Sequence, residues 1–106
     1  MINQLIISAL APLGIPVSNL KYSGIATTYI TFFCYNEQGE AWAENKEIAT
    51  GFYMQVDVWS KGDFTAIVEQ VKTLLEGAGL ARTYATEMYE DDTKIYHKAT
   101  RFVYVN

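Results

Sequence analysis

Hydrophobic positions along this chain follow two clear periods in its second half. In GFYMQVDVWS they alternate, with Phe52, Met54, Val56 and Val58 on one side and Tyr53, Gln55, Asp57 and Trp59 on the other. A period of two predicts a strand with one buried face. KGD breaks the alternation. FTAIVEQVKTLLEGAG then places Phe64, Ile67, Val68, Val71, Leu74, Leu75 and Ala78 at helical spacing. A single apolar stripe predicts an amphipathic helix over residues 63–77. Ser60 or Asp63 suits its N-cap, and Gly77 or Gly79 suits its C-terminal stop. LARTYATEMY and KIYHKATRFVYV predict a hairpin that turns around Glu90, Asp91, Asp92 and Thr93.

The first half is less regular. Ile2, Leu5, Ile6, Ala9, Leu10 and Leu13 recur at helical spacing, and Gly14 and Pro16 then stop the helix. Residues 15–27 read as an irregular connection with a short strand at 20–22. TTYITFFCY is apolar on both faces, which predicts a central strand. NEQG at 36–39 reads as a turn. EAWAENKEIATG has two readings. It is either the second strand of a hairpin or an exposed, mobile excursion, and Glu37, Glu40, Glu44 and Glu47 against the lone Lys46 favour exposure. The element order predicts an α+β fold. One mainly antiparallel sheet carries an N-terminal helix and a central amphipathic helix, in a single domain over residues 1–106.

Composition narrows the function classes. Half of the 106 residues are hydrophobic, as in an ordinary globular domain. The net charge is -4, and the eight basic residues are scattered, which argues against a phosphate-backbone surface. No run approaches the roughly 20 apolar residues of a membrane span. The N-terminus lacks a basic n-region, so it does not read as a signal peptide, and a cytosolic product is expected. The single cysteine, Cys34, excludes an internal disulfide and reads as a buried, inert thiol.

Candidate chemistry is sparse. His97 is the only histidine and has no ligand spacing around it, so it reads as structural. Asp57 could be a partly buried catalytic carboxylate, but an exposed or salt-bridged residue on the outer sheet face is the simpler reading. Glu87, Glu90, Asp91 and Asp92 could gather a divalent cation through oxygen ligands. They lack the spacing and glycine of a calcium loop and read as a solvated tip. Strand aromatics could stack nucleic-acid bases, yet RFVYV offers only Arg101 as a base, and an aromatic core is the simpler reading. No nucleotide loop, nucleophile elbow or CxxC is present. The expectation is a protein without catalytic activity, cofactor or metal.

Two segments carry a family resemblance. QVDVWS, with a helix a few residues later, and the hairpin YEDDTKIYHKATRF resemble the tail completion proteins of long-tailed phages and prophages, also called tail terminator or tail-to-head joining proteins. The N-terminal helix and the Pro16 loop fit the same outline. The resemblance implies a small α+β virion protein that caps the tail tube at its head-proximal end. It would form a ring, commonly hexameric, and give the head a docking surface. The tail tube protein and a head-completion or connector protein are the implied partners. The implied location is the virion, after assembly in the host cytoplasm. The resemblance brings no functional-residue motif with it. A head-side neck or connector protein and an intracellular adaptor remain alternatives from other classes. From the residues themselves, the expected contacts are Trp42 and the hairpin tip at Glu90, Asp91, Asp92 and Lys94. Acidic charge further predicts monomers in dilute solution, with the ring forming only on a tube.

Overall fold

The computed structural model describes residues 2–106. A helix α1 (Ile2–Leu10) runs into a single 3-10 turn (Ala11–Leu13) and then three strands, β1 (Val17–Asn19), β2 (Thr28–Ala43) and β3 (Lys46–Ser60). A second helix α2 (Thr65–Gly77) and two further strands, β4 (Ala81–Glu90) and β5 (Ile95–Val105), complete the fold. The five strands form one sheet in the order β1-β2-β3-β5-β4. Only β1 and β2 are parallel; every other pair is antiparallel. The architecture is α+β, as the periodicities predict.

The helices cover one face of the sheet. Ile30 and Phe32 of β2, Met54, Val56 and Val58 of β3 and Phe102 of β5 point into the same core as Ile6 and Leu10 of α1 and Val71 and Leu75 of α2. Fully burying an aliphatic or aromatic side chain stabilises by about 1.5–3 kcal/mol. The apolar stripe of α2 therefore fixes its rotation, and Glu69, Gln70, Thr73 and Glu76 are left in solvent. Asp63 starts this helix: its Oδ1 accepts from the Thr65 backbone N–H at 3.0 Å and from the Thr65 hydroxyl at 2.9 Å. Those two bonds hold the Asp63 carboxyl below the usual carboxylate range. Ser60 is not the cap. It accepts from the Gly62 N–H and pairs with the Thr28 hydroxyl at 3.0 Å. At the other end Gly79 takes a φ of 99° and lets Leu80 bond back to the Leu75 carbonyl.

Several sequence expectations need correction. Residues 36–39 are not a turn. β2 runs through them to Ala43, and the chain reverses at Glu44 and Asn45, whose φ values of 52° and 66° make a two-residue hairpin turn. Register shifts after Cys34, Gly39 and Ala41 slip the alternation by one residue each time, so no continuous period of two survives to be read. The central strand is β3, not β2, and the short first strand lies at 17–19 rather than 20–22. Cys34 is exposed rather than buried, because β1 pairs β2 only over Ile30–Phe32 and the strand edge beyond is open. Of the two readings of residues 40–51, paired strands hold rather than a loose excursion, and most of these residues are exposed, as their acidic composition predicts.

The long β2–β3 hairpin sets the molecule's shape. Beyond Gly51 no third strand flanks β3, and the two strands continue as a free ribbon. Fifteen residues of β3 at about 3.3 Å each span about 50 Å, close to the 52 Å long dimension of the molecule.

Candidate functional site

The sheet face away from the helices is uncovered and aromatic. Tyr22 stacks on Tyr29 with ring centroids 4.5 Å apart, Tyr29 lies 6.0 Å from Trp59, and Trp59 stacks on His97 at 3.7 Å with the planes 10° apart. The file follows from register, since Tyr29, Trp59 and His97 sit opposite one another on β2, β3 and β5. Farther along the same face, Arg101 lies 4.5 Å above the Tyr35 ring and 5.9 Å from that of Tyr84. This cation–π contact ties β5 to β2 across β3. Phe32, Phe52 and Phe102 are core, as the sequence reading has it, whereas the outer-face aromatics are not. Their signal was the second face of the alternating strands, where Tyr29, Phe33 and Tyr35 recur at every second or fourth position.

Beneath this layer lies a buried polar pair. His97 donates from Nε2 to Asp57 Oδ1 at 2.9 Å, and Gln55 donates from Nε2 to the same oxygen at 3.0 Å. Asp57 is 4% exposed and His97 8%. The Trp59 indole N–H is satisfied by the Thr31 hydroxyl at 2.9 Å. No buried side-chain nitrogen or oxygen among the described residues lacks a partner. A His–Asp pair is also the orienting half of a hydrolytic triad. Here the pair joins adjacent strands, and the His97 ring face is covered by Trp59. Sequence reasoning noted both residues but not their union, because they are 40 positions apart and only the β3–β5 register brings them together.

The residues expected at a contact surface are all exposed but do not form one patch. Trp42 lies one residue pair from the β2–β3 turn and is 61% exposed. Its ring lies over Gly39, where any Cβ would overlap it. The ring is thus laid along its own ribbon, yet most of it faces solvent. Glu90, Asp91, Asp92 and Lys94 form the β4–β5 turn. The Glu90 carbonyl accepts from the Lys94 N–H at 2.8 Å, and Lys94 takes a φ of 57°. Strand β3 pairs with β5 from Gly51↔Val105 to Ser60↔Tyr96, so the β4–β5 turn lies at the Ser60 end and Trp42 beyond the Gly51 end. Two separate surfaces result, at opposite ends of the long axis. Among the described residues no three His, Cys, Asp or Glu side chains converge as metal ligands. A surface hollow of about 440 Å³ between Pro12–Leu13 and α2 contributes one carboxylate, Glu69.

No family model matches this sequence, and no curated protein does. Among solved structures, the fold is similar to a chain in the virion of a native gene transfer agent particle, with a TM-score of 0.53. The match covers 90% of this chain and 81% of the other at 13% identity, so what the two chains share is the fold.

Proposed function

We propose that this chain is a structural protein of a phage or prophage virion that caps the tail tube and forms the ring joining tail to head. The observation that carries this reading is the likeness over 90% of the chain to a protein of a gene transfer agent virion. The geometry is compatible with it. A closed ring needs a heterologous contact between two different surfaces of each subunit. The sheet has two unlike free edges, β4 on one side and β2 beyond Phe32 on the other. The ribbon and the β4–β5 turn point to opposite ends, which suits a subunit held between two assemblies. A net charge of -4 suits a passage through which DNA slides without sticking. On this reading the ring is a hexamer, its partners are the tail tube protein and a head-completion protein, and the free chain is a monomer without catalytic activity.

The test is complementation. A strain deleted for this gene should accumulate unjoined heads and tails, and the purified protein should restore joined particles in its extract. Gold-labelled protein should mark the head-proximal tail end. Label at the head vertex would transfer the assignment to a neck protein, and an extract left unjoined would remove the virion role.

A further inference from the structure

We infer that the β2–β3 ribbon is a docking arm for a different protein, one that offers an apolar socket rimmed by Lys or Arg. The inference deepens the proposed virion role and rests on it for the identity of the assembly. The ribbon carries Trp42 and Ile48, 61% and 63% exposed, next to its tip. Burying them on a partner removes apolar surface from water, and an aromatic anchor on a stiff support loses little freedom when it binds. Gly39 supplies part of that stiffness by letting the indole lie flat on the ribbon.

Charge decides what the partner is. Glu37, Glu40, Glu44 and Glu47 lie along the same ribbon as the two apolar residues, with Lys46 as its only base. Glu40 and Glu47 are held on the ribbon by hydrogen bonds from the Tyr53 and Thr50 hydroxyls. Among the described residues the same chain offers no roomy basic socket to receive this arm: Lys72, Arg82 and Lys98 meet around a hollow of only about 50 Å³ that also holds Glu69. Lys98 is already engaged with Glu87 at 3.0 Å, and Arg101 lies between Tyr35 and Tyr84. Seating the arm on a second copy would place acid against acid, which costs affinity and slows encounter. A basic-rimmed socket on another protein gains on both counts.

The probe is a synthetic peptide of alternating leucine and lysine, compared with a leucine–glutamate peptide and a serine–lysine peptide of equal length. Wild-type protein should bind the leucine–lysine peptide at least about tenfold more tightly than either control, a difference of about 1.4 kcal/mol. Trp42→Ala should abolish that preference, and so should Glu37→Gln combined with Glu40→Gln, Glu44→Gln and Glu47→Gln. A variant of the other acidic end, Glu90→Gln with Asp91→Asn and Asp92→Asn, should retain it. Melting curves must show every variant folded, and the isosteric Gln changes keep the ribbon's hydrogen bonds. The inference is overturned if the Glu90 variant loses binding as the arm variants do. It is equally overturned if Trp42→Ala leaves binding unchanged, or if Trp42→Ala dissolves a self-associated species in sedimentation. Complementation separates the two proposals. Arm-dependent peptide binding without head–tail joining would sink the virion role alone, and joining by Trp42→Ala at the wild-type level would sink the arm alone.

Discussion

Removing the Asp57 carboxylate should destabilise the domain strongly, although Asp57 sits on the face without helices. Asp57→Ala takes the shared acceptor from His97 Nε2 and Gln55 Nε2. His97 is buried under Trp59, so its donor has no ready access to water. Gln55 is half-buried and can turn outward, so its share is small. Losing one buried bond to a carboxylate and a fraction of a second costs about 2–3 kcal/mol. For a domain near 100 residues that corresponds to a fall of about 10–20 °C in Tm. The assay is thermal and urea unfolding of wild type, Asp57→Ala, His97→Ala and the double variant. The two single changes should be non-additive by about 1–2 kcal/mol, because they remove the same bond. A Tm for Asp57→Ala within about 3 °C of wild type, under the same conversion, would show that the pair contributes nothing and would refute the reasoning.

Other outcomes follow from the packing. Val71→Asp places an unpaired charge between α2 and the sheet and should cost at least about 3 kcal/mol in urea unfolding, whereas a wild-type midpoint would contradict the assigned helix face. The lowered pKa of Asp63 means that the folded state binds this proton more weakly than the unfolded state, so its stabilisation is present above the unfolded pKa and is lost as pH falls through the folded one. Asp63→Asn should therefore flatten the acid limb of the Tm–pH curve, and an unchanged limb would refute the cap. Amide exchange should be slow for Tyr53–Val58, flanked by strands on both sides, and faster for residues 41–48 of the free ribbon; equal protection would refute the reading of an unsupported arm. EDTA should leave Tm unchanged, since a bound ion stabilises by mass action, and a fall of several degrees would reveal an ion.

The sequence by itself determined the parts that depend on local pattern. The unbroken alternation from Phe52 to Val58 and the single stripe from Phe64 to Ala78 each leave one arrangement that buries the apolar side. The antiparallel α+β sheet, the two helices and the β4–β5 turn were therefore legible. Gly14 and Gly79 were legible as stops because a positive φ favours glycine. Tertiary structure decided whatever depends on register or on what lies alongside. Each bulge in β2 inverts the facing of all later side chains, so a ribbon with three register shifts looks like turn and loop in one dimension. Cys34 lies in a stretch as apolar as any core strand, and only the end of β1 leaves it in solvent. The Asp57–His97 pair and the aromatic file arise between strands whose alignment no local pattern encodes. The separation of the two acidic ends has the same origin: chain order places Trp42 and Glu90 on neighbouring hairpins, but the antiparallel pairing of β3 with β5 carries them to opposite poles.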